Sequence, residues 1–307
     1  MTGRQAAMAL SPAPARSLRR PARIYRGAAA ERRVRAWCRS RLAADPRLRE
    51  RTLATGLGAT PLFTADGGDG TPVLLLPGTN FNSATGLALA RALAPDRTVH
   101  LVDLPGQPGL AAPLRPGGDR LGAYGAWLGE VLAGAAERRV LVLGHSLGAA
   151  VALAAEPSDR VAGLALVNPA GLAPAALSAA LMRVTLPWLA APSPGSSARL
   201  LAFMSGPGAE VPPELADWMT LVARSCRTSL APGPLPEHAV RRWRDTPVHV
   251  ATGSHDRFFP PARLAAPARD LLAARVDTVE GAGHLAPHED PARVRALLRD
   301  LDAAARS

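Results

Sequence analysis

The sequence predicts an α/β fold, a mostly parallel central sheet with helices on both faces and a helical insertion ahead of the last strands. Three observations predict it. Short apolar runs at 72–76, 99–103, 140–143, 161–168, 248–252 and 276–279 lack helical spacing and read as strands buried on both faces. Helical stretches alternate with several of them, the rhythm of parallel strands joined by crossover helices. Between 169 and 244 that rhythm stops, prolines recur, and Leu181, Met182, Trp188, Leu189, Phe203, Met204, Trp218 and Met219 fall in short helical patches.

In chain order, residues 1 to about 26 are rich in Pro, Ala and Arg and are expected to be disordered, with Met8 an alternative start. Residues 28–42 place Val34, Trp37, Cys38 and Leu42 among arginines, an amphipathic helix lying against the body. Residues 53–64, broken by Gly56 and Gly58, read as an opening hairpin, and Gly67 to Gly70 as a turn. The strand at 72–76 runs into Pro77-Gly78-Thr79-Asn80, and the strand at 99–103 into a stiff loop from Leu104 to Leu110. Residues 121–135 form a helix, and 291–304 form the closing one. The expected organisation is a basic extension over 1–50, a core made of 51–168 and 245–307, and the helical insertion over 169–244.

Composition limits the function classes. A chain of 307 residues with 48% hydrophobic content buries a substantial core. All 36 basic residues are arginine, a bias that goes with the abundance of Gly and Pro, so the net charge of +11 is a poor guide to partners. Its distribution says more. Residues 1–51 hold 14 Arg against Glu31, Asp45 and Glu50, while the remainder carries 22 of each sign. That arm lacks interleaved aromatic residues, so a solvated extension is expected rather than a nucleic-acid surface. Cys38 and Cys226 make no disulfide framework. The first 25 residues lack the uninterrupted apolar segment of a signal peptide, and no run is long enough for a membrane span, so the cytoplasm is the expected compartment.

The chemistry centres on Gly144-His145-Ser146-Leu147-Gly148, which joins an apolar strand to an alanine-rich helix. A sharp strand-to-helix turn strains the serine backbone and leaves its hydroxyl exposed, and the positions two before and two after must be small. Ser146 is the candidate nucleophile. A serine needs a base, and the base an orienting acid. Asp256 follows the strand at 248–252 and His284 follows the strand at 276–279, in the order Ser, Asp, His. Each has a plainer reading, Asp256 as a turn residue before Pro260-Pro261 and His284 as one of seven histidines. Asp103, also at a strand end, is the rival acid and is expected to brace its own loop. His284 and His288 beside Glu289 have a metal-like spacing, but Pro287 interrupts them and a third ligand is missing. His288 and Glu289 read as helix-start residues, and no metal or cofactor is implied.

Taken together, Leu75-Leu76-Pro77-Gly78-Thr79, Asp103-Leu104-Pro105-Gly106-Gln107-Pro108-Gly109, the elbow at 144–148, Gly253-Ser254-His255-Asp256 and Gly281-Ala282-Gly283-His284 resemble the α/β-hydrolase superfamily from about residue 50 to the end. The resemblance implies an α/β-hydrolase fold with the insertion as a helical cap. It implies Ser146 as nucleophile, His284 as base and Asp256 as its acid, with backbone N–H groups of Thr79 and Leu147 as the oxyanion hole. Pro77-Gly78 stands where the family usually has His-Gly, which leaves the donor a backbone amide. A serine at 146 argues against the carboxylate-nucleophile chemistry of dehalogenases and epoxide hydrolases. The expected activity is that of a carboxylesterase-like serine hydrolase acting on a small or medium apolar acyl substrate. The alternatives are a C–C bond hydrolase, thioesterase or perhydrolase with the same triad, or a non-catalytic ligand-binding member. The sequence leaves oligomeric state open.

Overall fold

A computed structural model describes residues 22–135, 139–228 and 232–306. Most of the arm expected to be disordered, and Met8, lie outside the described residues. Its last part does not behave as expected. After β1 (Ala22–Arg23), Ile24 is fully buried and Tyr25 nearly so. Tyr25 pairs as an isolated bridge with Cys226, and its hydroxyl donates to the Gly109 carbonyl at 2.9 Å. Two apolar side chains with a partner two hundred residues away gave no local signal.

The helix α1 (Ala28–Ala43) buries Ala30, Val34, Cys38 and Leu42, one residue per turn. The strands β2 (Leu48–Thr55) and β3 (Gly58–Leu76) form the expected hairpin. Then come α2 (Leu87–Leu93), β4 (Arg97–Val102), the two-residue β5 (Leu114–Arg115), which pairs with β1, and α3 (Arg120–Ala135). The long β3 changes direction. Leu62 to Ala65 face Val102 to Val99 antiparallel, whereas Val73, Leu74 and Leu75 face Val99, His100 and Leu101 in ascending register on the other side of β4. The reversal falls on the glycines read as a turn. At Gly67 a Cβ would sit 2.1 Å from the Ala94 carbonyl oxygen, so no larger residue fits the bend.

From there the sheet is parallel through β6 (Val140–His145), β7 (Val161–Val167), β8 (Val248–Gly253) and β9 (Val276–Val279). The helix α4 (Leu147–Ala154) follows β6 directly. Strand β6 shows why these runs are continuously apolar. Leu141 and Leu143 pack on one face with α1, α2 and the closing helix α11 (Pro291–Arg306). Val140 and Val142 pack on the other with α3, α4 and α9 (Pro261–Leu272). Both faces are dry, so both parities of the strand are hydrophobic.

Between β7 and β8 lie α5 (Ala179–Ala190), α6 (Pro194–Met204), α7 (Pro213–Ser225) and the short α8 (Glu237–Arg241), with no strand among the described residues there. Ser193 starts α6 with a reciprocal cap to Ser196, which is why that helix begins after only three residues beyond α5. One short helix, α10 (Ala286–Glu289), precedes α11.

Candidate active site

The site begins where β6 meets α4. Ser146 makes that junction with φ of 50°, a left-handed conformation uncommon for a serine. Its surroundings hold it there. The Ser146 amide donates to Val167, and its carbonyl accepts from Ala149, Ala150 and Ala170. The flanking glycines are sterically required, because a Cβ at Gly144 would lie 2.6 Å from the Ala149 backbone and one at Gly148 would lie 2.1 Å from the Leu76 carbonyl.

His284, on the loop after β9, brings Nε2 to 3.0 Å from the Ser146 hydroxyl and Nδ1 to 2.9 Å from Asp256 Oδ2. Asp256, on the loop after β8, has a completely filled acceptor set. Its Oδ1 takes the Phe258 and Phe259 amides, and its Oδ2 also takes Asn168 Nδ2 at 2.8 Å and Thr252 Oγ1 at 3.2 Å. Burial opposes its ionisation, but His284, the Asn168 amide and the Phe259 N–H outweigh that and hold the carboxyl well below the usual range. An ionised carboxylate only accepts, so Nδ1 of His284 carries the proton and Nε2 accepts from the serine. Ser146, His284 and Asp256, distant in sequence, are thus one hydrogen-bonded chain.

Neighbouring groups fix the loops that carry this chain. Asn168, with φ of 48° just past β7, gives its amide to Gly283 as well as to Asp256. The His284 amide donates to the Met204 carbonyl at the end of α6. Glu289 accepts from Gly283 and, at 2.7 Å, from Gly206. It closes α10 rather than starting a helix, as does His288. His145 donates Nε2 to the His284 carbonyl at 2.8 Å. Burial first, then the neighbouring histidines, lower its pKa to about 3, and burial lowers that of His288 to about 4.

Thr79 and Leu147 flank the serine, and their amides donate to no backbone or side-chain acceptor in the described chain. The turn bearing Thr79 is pinned on both sides. The Asn80 amide, at φ of 66°, donates to Gln107, while the Asn80 carbonyl accepts Trp218 Nε1 of α7 at 2.7 Å. Asp103 is elsewhere. Its oxygens accept from Ser83 and the Leu110 amide, so it braces the loop that carries Gln107.

A cavity of about 200 Å³ opens above Ser146 and His284, walled by Leu181, Trp188, Leu200, Met204, Met219 and Phe258. Apart from His145 and His284, no ionisable side chain lines it. Among the described residues no cluster of three His, Cys, Asp or Glu side chains could hold a metal ion. Cys38 and Cys226 are buried and unpaired, and burial pushes the Cys226 thiol up to about 12.

The sequence model of the alpha/beta hydrolase family matches residues 73–297, from the second arm of β3 to α11. The chain belongs to the alpha/beta hydrolase family. Its fold is similar to those of carboxylesterase CesB from Bacillus subtilis (TM-score 0.71, 16% identity, 89% of this chain and 98% of that one) and naproxen esterase from the same organism (0.70, 18%, 86% and 95%). It is also similar to a meta-cleavage product hydrolase from Pseudomonas fluorescens (0.66, 17%, 85% and 100%). No curated protein sequence matches the chain. Within this alpha/beta hydrolase, no helix among the described residues is long and apolar enough to cross a membrane.

Proposed function

We propose that this alpha/beta hydrolase is a serine hydrolase that cleaves esters, or related acyl bonds, of small or medium apolar substrates. The observation that carries the reading is the continuous hydrogen-bond chain from Ser146 Oγ through His284 to Asp256. Ser146 attacks the substrate carbonyl carbon while His284 Nε2 takes the hydroxyl proton. The ionised Asp256 steadies the imidazolium that results. The free amides of Thr79 and Leu147 receive the tetrahedral oxyanion, each contributing about 3 kcal/mol to the transition state. Collapse breaks the bond to the leaving group, which departs with the proton from His284. Water, deprotonated by the same imidazole, then releases the acid from Ser146.

The apolar preference rests on the cavity lining, and residues 169–244 act as the cap that supplies most of its apolar side chains. The esterase names of two structural neighbours agree with this reading. The meta-cleavage product hydrolase keeps C–C hydrolysis on the substrate panel.

Labelling with a fluorophosphonate probe tests the proposal. The wild type should label and turn over short-chain esters, and Ser146→Ala or His284→Ala should lose labelling, with turnover reduced about 10⁴-fold or more. A folded wild type that neither labels nor hydrolyses esters, thioesters or vinylogous diketones would move the reading to a ligand-binding protein.

A further inference from the structure

We infer that the outer face of α5 docks on the surface of an anionic amphiphile aggregate, a bilayer or micelle, and admits the acyl substrate from it to the cavity. The inference rests on the hydrolase reading, deepening its substrate class. Helix α5 is apolar on its outer face and largely apolar on its inner one, with Arg183 on a third side. Its inner residues Leu181, Thr185 and Trp188 line the cavity over Ser146. Its outer residues Met182, Leu186 and Leu189 are 49%, 54% and 38% exposed. Leu177, just ahead of the helix, belongs to both sides, lining the cavity while 80% exposed. The exposed patch is therefore continuous with the cavity mouth. An outer face that stays apolar opposite water is unlike an ordinary surface helix, and four large apolar side chains exposed beside one cavity mouth mark a contact surface.

The charges choose the occupant. From 170 to 209 the sequence contains no acidic residue and two arginines, Arg183 and Arg199. Arg183 is exposed on α5 and is the sole charge of that helix. Two more arginines stand by the mouth. Arg263 holds the Pro174 carbonyl just before Ala175 and Leu177, and Arg257 lies 4.6 Å over the Phe203 ring, beside Phe258 of the cavity wall. Apolar side chains beside exposed arginines suit an interfacial helix on an anionic surface. A second copy of the same face would set arginines against arginines.

Vesicle co-sedimentation tests this apart from catalysis, using the full chain with Ser146→Ala so that no lipid is consumed. At least tenfold more protein should sediment with vesicles of equal phosphatidylglycerol and phosphatidylcholine than with phosphatidylcholine alone. Adding Met182→Gln, Leu186→Gln and Leu189→Gln should abolish sedimentation, and Arg183→Glu should remove the preference for anionic vesicles. The three Gln substitutions placed in the active protein should leave turnover of a soluble short-chain ester at the wild-type value. Absence of sedimentation, or sedimentation that survives the three substitutions, would overturn the inference. So would equal sedimentation with both vesicles, or a dimer in solution that the substitutions dissociate. Loss of ester turnover in the wild type would strike the hydrolase reading instead, leaving vesicle binding to be judged by itself.

Discussion

Asn168 is a single amide on which two of the three candidate catalytic residues depend. It donates to Asp256 and to the carbonyl of Gly283, the residue before His284. A hydrogen bond to a buried charge is worth roughly 1.5–3 kcal/mol, about 10–100-fold in rate when lost from the reacting state. Asn168→Ala should therefore lower kcat by that factor with little change in KM, and the enzyme should remain folded by circular dichroism. An unchanged kcat would remove Asn168 from the positioning of Asp256. Ser146, Asp256 and His284 were legible because each follows a strand and a glycine, where the chain order alone separates them from ordinary serines, acids and histidines. Asn168, Thr252, Gln107 and Glu289 were not. An asparagine at a strand end looks like any turn residue, and its role is set by the register of β7 against β8, which no local pattern encodes. Trp218 stands in the sequence as one apolar residue of a helical patch, and only its ring N–H on the Asn80 carbonyl gives it a task at the site.

Among the elements, the β6–α4 junction packs its backbone closely against β3. Gly148→Ala would drive a methyl group into the Leu76 carbonyl of β3, and neither backbone can retreat without breaking the parallel register at Leu76 and Gly144. We expect a loss of about 3 kcal/mol or more in urea unfolding. Gly129→Ala is the contrasting case. Gly129 sits exposed inside α3 with nothing within 4 Å of a new Cβ, so the same methyl should stabilise by about 0.5–1 kcal/mol. If the two substitutions had similar effects, the steric account of the elbow would fail. The same contrast explains which elements could be read from sequence. Strands β6 and β7 announce themselves through dry faces, whereas the bend in β3 and the segment at Ile24 depend on what approaches them from elsewhere.

At the scale of the whole molecule, the protein holds histidines in their neutral form, His100 and His145 buried and His288 half-buried. Burial lowers His100 to about 4, and His145 and His288 are lowered to about 3 and about 4. Each lies below the unfolded value of about 6.5, so between the two the unfolded chain binds the proton and the folded one does not. Stability is therefore full above about pH 6.5 and declines as pH falls toward 4. The slope is about 1.4 kcal/mol per pH unit for each histidine, roughly 4 kcal/mol for the three one unit down. Urea midpoints at pH 7.5 and 5.5 measure it, and equal midpoints would show these side chains to be protonated or solvated in the fold.

The stretch Ile24–Tyr25 ties distant parts of the chain together. Its backbone joins the end of α7 through the amides of Arg26 and Arg227, and the Tyr25 hydroxyl reaches the Gly109 loop braced by Asp103. The helical insertion is thus not an interchangeable part. A transplant of residues 169–244 into a relative would arrive without its strap, and the tryptophan that steadies the Asn80 turn would lack its matching loop. Recombination among such enzymes would have to carry the segment near Ile24 together with the insertion, although the two are encoded more than a hundred residues apart.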